Sequence, residues 1–360
     1  MKTYYRDYLG LNTLLDSQKP MSFDTDNPIQ DEMLFIIVHQ VYELWFKQML
    51  HELKQIQELM SVAPIREKEL NIVSSKFQRI KAIQGLMTGP LEILETMTPM
   101  DFLEFRDLIV PASGFQSVQF REIEIRLGLT EGLKSPVDRK FFMGRMDEQD
   151  QNHIRSIGSN SLFHLVEGWL ERMPFGKMKN FNFWKSYEAA VNKMLDSEKN
   201  IIEENQAELS SELMETQLQK LNETQKHFES LMDEEKYKAL IESGNKRLSQ
   251  KATLNALFIL LYRSEPLLHQ PFQILTHLMD IDENFTSWRY RHSILAQRML
   301  GRKIGTGGSS GHEYLKRTAE QNRVFLDIFD LSSFLIPNRM KPTLPTELKE
   351  KLSFHYEINP

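Results

Sequence analysis

No glycine or proline occurs from Phe183 to Ser243, and no other feature narrows the fold as far. Glu, Lys, Gln and Leu abound in this stretch, and all are good helix formers. About 183–242 therefore reads as a polar helical hairpin protruding from the core, without the sustained heptad of a coiled-coil arm. Residues 31–60 read as one long helix, with Asn27 and Pro28 at its approach, Asp31 and Glu32 in its first turn and Pro64 past its end. Apolar residues cover much of its circumference over Met33–Val38, which predicts burial on all sides. Further helices are expected over about 67–95, Asp101–Val110, 115–128, 251–279, 284–300 and 312–329. Pro111-Ala112-Ser113-Gly114 interrupts this series, a loop is expected around Pro136 and Gly144, and the tail after Pro337 is expected to wrap the surface. Alternating strand patterns are few. The expected fold class is all-α, a single domain over 1–360 with a helical insertion over about 139–250.

Charge and cysteine content remove several classes of function. A net charge of −6 argues against a nucleic-acid or anionic-membrane binder, which would carry a basic surplus. The absence of cysteine excludes disulfides, thiolate metal sites, thiolate-ligated haem and a cysteine nucleophile, and fits a reducing compartment. The longest apolar runs, Met33–Val38 and Ala256–Tyr262, fall far short of the roughly 18 residues a membrane span needs. A soluble, cytoplasmic protein is expected.

Common enzyme motifs are missing. The loop Gly305-Thr306-Gly307-Gly308-Ser309-Ser310-Gly311 has no following Lys, so it is not a P-loop, and it lacks the spacing of a dinucleotide fingerprint. His51-Glu52 and His312-Glu313 lack the second His of a zinc-protease helix. There is no Glu-x-x-His for a di-iron bundle.

What remains is a set of pairs at helical spacing. Phe35 with His39, Phe102 with Arg106, and Trp288 with His292 are each i,i+4, so each pair shares a helix face. An aromatic ring beside Arg suits a flat apolar group carrying a carboxylate, which guanidinium grips with two hydrogen bonds. A histidine among apolar helices suits axial ligation of haem. The same patterns also arise from ordinary packing, and spacing alone does not separate the two: a histidine on an apolar helix is more often a hydrogen-bonded core residue.

The wording of the segments goes further. Asp31-Glu32-Met33-Leu34-Phe35-Ile36-Ile37-Val38-His39-Gln40, Phe105-Arg106-Asp107, Pro111-Ala112-Ser113-Gly114-Phe115-Gln116-Ser117, Trp288 to His292 and the glycine loop together resemble the tryptophan 2,3-dioxygenase family, in this order and from about Tyr5 to Pro337. The polar insertion resembles the longer, animal-type members. The resemblance implies a homotetramer with one haem b per subunit, converting L-tryptophan and O2 to N-formyl-L-kynurenine. By motif, His292 would ligate the iron, with Trp288 and Gly305 in the haem environment. His39 would accept the indole N–H, Phe35 and Phe102 would pack on the ring, Arg106 would hold the carboxylate, and Thr306 would bind the carboxylate and ammonium end. Tyr5, Tyr8 and Leu9 match residues that complete a neighbouring subunit's pocket. Trp169, Arg172 and Pro174 resemble a second tryptophan site away from the haem. Gln30 stands where the family often has His. Three other readings remain: a related haem enzyme inserting one oxygen atom; a haem sensor or carrier, against which Phe102, Arg106 and Thr306 speak; and a purely structural helical protein.

Overall fold

The computed structural model describes residues 2–129, 144, 146–158, 160–174, 177–178, 181–205, 210–301, 303 and 311–353. The loop expected around Pro136 and most of the glycine loop lie outside the described residues. In chain order the helices are α1 (Tyr5–Tyr8), α2 (Leu11–Leu15), α3 (Gln30–Ser61), α4 (Glu67–Leu86), α5 (Thr88–Leu94), α6 (Pro99–Arg106), α7 (Val118–Leu127), α8 (Glu148–Ser156) and α9 (Leu162–Glu171). A minimal hairpin of β1 (Lys177–Met178) and β2 (Phe181–Asn182) follows. Then come α10 (Phe183–Glu204), α11 (Ser211–Met232), α12 (Glu234–Glu242), α13 (Gln250–Leu261), α14 (Pro266–Leu300), α15 (Gly311–Gln321), α16 (Leu326–Asp330) and α17 (Thr346–Leu352). The fold is all-α, as the helix-length segments predict.

The chain divides into two compact units. The first holds Met1–Glu58, Lys76–Leu162 and Asp280–Val324. Its helix starts are set by short polar side chains. Thr98 and Asp101 form a reciprocal capping box on α6, and the Ser117 hydroxyl accepts the Phe120 N–H to start α7. Each such cap stabilises by about 1 kcal/mol. Glu32, 1% exposed, accepts the backbone N–H groups of Met21 and Ser22 at 2.8 Å each, which moors the N-terminal segment on α3.

The second unit holds Leu59–Ser75, Phe163–Met279 and Phe325–Pro360. Its centre is aromatic: Phe183 meets Phe258 at 4.9 Å and Tyr262 at 5.5 Å, and the Tyr187 hydroxyl donates to the Phe334 carbonyl. Asp327 accepts the N–H groups of Arg247 and Leu248 at 2.7 Å each. Lys246, also buried, meets Asp330 at 2.6 Å.

Several expectations are corrected in detail. The helices expected over 251–279 and 284–300 break earlier, between Leu261 and Pro266, and α14 then runs on through 280–283. Pro266 opens α14, where its missing N–H costs nothing. The polar residues at 280–283 do not end the helix because Asp282 turns inward and accepts the Val324 N–H at 2.9 Å, while Gln84 caps the Ile281 carbonyl at 3.0 Å. The segment expected as one helix over 312–329 divides into α15 and α16. The hairpin α10–α11 is solvated only in part, since its base buries Phe183, Trp184, Tyr187, Val191 and Phe228. The run Met33–Val38 is not buried on all sides: Val38 is, but Ile37 is 43% exposed. Finally, the tail after Pro337 includes a helix, α17, that buries Leu348 and Leu352.

Candidate active site

The apolar surplus of α3 is used to line a cavity in the first unit, with about 260 Å³ of free volume. Successive turns of α3 present Phe35, His39, Tyr42 and Phe46 to it. Leu91 and Leu94 of α5, Met97 beyond it, Phe102 of α6 and Phe120 of α7 add apolar walls. From α14 come Trp288, His292, Leu295 and Met299, which recur at the three- and four-residue spacing of one helix face. An adjoining groove, lined by Ile36, Gln40, Leu44, Lys19 and Lys47 among others, shares Phe35, His39, Glu43 and Phe102 with the cavity.

The two histidines differ in their bonding. The His39 Nδ1 lies 2.7 Å from the Phe35 carbonyl oxygen, so it carries the proton and donates. That leaves Nε2 with its lone pair as an acceptor. Burial pushes the His39 imidazole below its ordinary pKa of 6.5, against the opposing pull of the Phe35 carbonyl and Glu43. The His292 imidazole is pushed down to about 4, by burial first and by His39 second, so it is neutral at pH 7. Its Nδ1 is buried and, among the described residues, has no hydrogen-bond partner. The Trp288 ring packs beside it with centroids 5.5 Å apart.

The aromatic wall is tight. Phe35 lies 4.1 Å from His39, 5.8 Å from Phe102 and 5.6 Å from Phe105, centroid to centroid. This end of the cavity can pack a flat ring and offer it one hydrogen-bond acceptor.

The polar part of the wall does not show in the sequence. Glu124 accepts from Arg121 at 2.5 Å and from Arg289 at 2.8 Å, and all three are buried. Burial works against the Glu124 charge, but the two guanidinium groups outweigh it and hold the carboxyl below the usual range. Arg121 also reaches the Tyr314 hydroxyl at 3.3 Å, and Arg289 the Asn322 carbonyl at 3.0 Å. Glu43 is held by the Gln119 amide at 2.8 Å. Ser113 and Ser117 also line the cavity. The i,i+3 spacing of Arg121 and Glu124 is visible in the sequence, but Arg289 joins them across 165 positions of chain.

The expected site residues fall into three groups. Phe35, His39, Phe102, Trp288 and His292 come together around the cavity. Arg106 stands one turn beyond Phe102 on α6, half-buried, and lines neither cavity nor groove. Tyr5, Tyr8 and Leu9 are exposed at 75%, 78% and 43%, away from the cavity of their own chain. Gly305 and Thr306 lie outside the described residues. In the second unit Trp169 is buried, while Arg172 and Pro174 are exposed.

The donor set indicates what the cavity can hold. Among the described residues no three His, Cys, Asp or Glu side chains converge on a metal position. One neutral imidazole in an apolar wall does suit an iron whose equatorial ligands come from a macrocycle, and the leucines, methionines and rings around His292 suit that macrocycle's apolar faces. The residues present fit haem.

Comparison with known proteins agrees with this chemistry. The family model described as tryptophan 2,3-dioxygenase matches residues 1–335. The chain is 46% identical to the tryptophan 2,3-dioxygenase of Bdellovibrio bacteriovorus, over 98% of both chains. It is 43% identical to that of Dictyostelium discoideum, over 99% of this chain and 89% of the relative. For that of Xenopus tropicalis the identity is 42%, over 94% of this chain and 84% of the relative. The longer form is thus met in bacterial as well as animal relatives.

Proposed function

Because this chain belongs to the tryptophan 2,3-dioxygenase family, we propose that it binds haem b through His292 and L-tryptophan beside His39, and cleaves the indole C2–C3 bond with O2 to give N-formyl-L-kynurenine. The observation that carries this reading is the pairing of a neutral, cavity-lining His292 with a second histidine whose Nε2 is free to accept.

Haem in its ferrous form supplies the activation of O2, and both oxygen atoms pass to the product. The chain's residues bind and orient. His39 Nε2 accepts the indole N–H, which fixes the edge of the ring without removing its proton. Phe35 and Phe102 pack on the indole, and burying such a ring contributes about 2–3 kcal/mol to binding. Arg106 takes the substrate carboxylate, and Thr306, with the loop from Gly305, takes the carboxylate and ammonium end. Trp288 borders the haem next to His292. The apolar walls exclude water, so orientation is set before reaction begins.

The remaining assignments concern assembly and place. The exposed Tyr5, Tyr8 and Leu9 enter the pocket of a neighbouring subunit, which makes a homotetramer the working form. Among the described residues no helix is long and apolar enough to cross a membrane. The cytoplasm is the proposed site of action, a reducing compartment that suits a chain without cysteine.

The test uses haem-loaded protein, reduced without air and given L-tryptophan and isotopically labelled O2. N-formylkynurenine carrying both labelled atoms is expected. A single labelled atom would make the chain a monooxygenase, and a haem-loaded protein that leaves tryptophan intact would make it a carrier or sensor.

A further inference from the structure

A metal-bound histidine is usually steadied by an acceptor for its other ring N–H, which sets both tautomer and ring orientation. His292 is different: its Nδ1 is buried and, among the described residues, makes no hydrogen bond. Packing must therefore orient the ring, and Trp288 is its aromatic packing partner among the described residues, one turn earlier on α14 with its centroid 5.5 Å away and its plane at 43°. An indole fixed by packing alone can rock about its outer torsion, which is broad. Something has to hold it.

We propose that Tyr42 is a positioning residue for the axial ligand, holding Trp288 against the His292 ring. This rests on the reading that His292 ligates haem iron. The Tyr42 hydroxyl donates to the Met87 carbonyl at 2.5 Å, which pins the oxygen and turns its lone pairs toward other donors. The Trp288 indole N–H reaches that oxygen at 3.5 Å, a long contact that the rings reinforce by meeting edge-on, centroids 5.8 Å apart at 61°. Phe46 closes the group, 6.0 Å from Tyr42 and 6.4 Å from Trp288. Tyr42 is buried and three residues beyond His39. One helix thus carries both the group that addresses substrate and the group that steadies the ligand to iron.

The experiment compares haem-loaded wild type with Tyr42→Phe, Trp288→Phe and His292→Ala. The readouts are the ferrous iron–histidine stretching band, the rate of haem transfer to an apoglobin trap, and kcat and KM for L-tryptophan. Tyr42→Phe and Trp288→Phe should each shift and broaden the band and speed haem loss by roughly tenfold, with kcat falling more than KM changes. His292→Ala should abolish the band; a band that survives would overturn the axial assignment and this inference with it. If His292→Ala behaves as expected but Tyr42→Phe lowers only the melting temperature, leaving band and haem loss unchanged, Tyr42 is a tether between helices and the positioning role is refuted. A shift in Tyr42→Phe without one in Trp288→Phe would equally refute the route through the indole.

Discussion

The Nδ1 of His39 stands 2.7 Å from the carbonyl oxygen of Phe35, one turn earlier on α3, so the helix backbone itself chooses the tautomer of this imidazole. The consequence is a neutral acceptor at Nε2, which protonation would turn into a donor. Burial holds the His39 pKa below 6.5, with Phe35 and Glu43 opposing it. The acceptor form therefore persists as pH falls through 6.5, and kcat/KM for L-tryptophan should stay level there and decline only below it. His39→Ala, which removes one neutral hydrogen bond of about 1 kcal/mol, should lower kcat/KM by about five- to tenfold. An acid limb that is centred at or above 6.5 and vanishes in His39→Ala would contradict the tautomer argument.

Arg106 is the second residue whose role can be separated from stability. A hydrogen-bonded charge on a carboxylate contributes about 1.5–3 kcal/mol, so Arg106→Leu should weaken tryptophan binding by about ten- to a hundredfold. Haem affinity should be unchanged, because Arg106 does not line the cavity that holds His292. Titration of the reduced, haem-loaded variant with L-tryptophan under nitrogen checks this. A dissociation constant equal to that of wild type would remove Arg106 from the carboxylate site.

These residues differ in how far the sequence alone reveals their roles. Phe35 with His39 and Trp288 with His292 are legible there because one helix turn fixes each pair, whatever the rest of the chain does. Tyr42 lies within a turn of His39, yet its meaning depends on Trp288, which α14 brings to it. Glu124 is likewise uninterpretable until Arg289 arrives. The continuity of α14 through 280–283 is hidden for the same reason: Asp282 looks like a surface residue until Val324 supplies its donor. Local periodicity carries helix faces, whereas contacts between helices that set buried charge do not show in it. The glycine loop and the N-terminal tyrosines are recognisable only by family resemblance.

Glu122 makes the first unit sensitive to acid. It accepts from Arg126 at 2.6 Å, from His153 at 2.8 Å and from Lys54 at 3.1 Å. Burial would raise its pKa, but these three partners lower it from 4.5 to about 2. A depressed carboxyl pKa stabilises the fold above the unfolded value and loses that contribution as pH falls from about 4.5 to about 2. Glu122→Gln should therefore be less stable than wild type at pH 7 and approach it at pH 3. Denaturant midpoints for the two proteins, measured at both values, test the sign; a difference that grows toward pH 3 would reverse it.

The Glu124 cluster separates the cost of a buried charge from its use. Glu124→Leu withdraws the carboxylate that both Arg121 and Arg289 hold, at a position where all three side chains are buried. Breaking such a group costs about 3–5 kcal/mol, because guanidinium charge stays in a low-dielectric wall. Glu124→Gln keeps the shape and one acceptor, so its loss should be smaller. Since Glu124 and Arg289 also line the cavity, both variants should bind haem less tightly than wild type even where they remain folded. The expected order in unfolding free energy and in haem retention is wild type, then Gln, then Leu. Were Glu124→Leu to lose under about 1 kcal/mol, less than a buried ion pair broken on one side should cost, the carboxylate would not be compensating the arginines, and their charge would have to be balanced elsewhere in the wall.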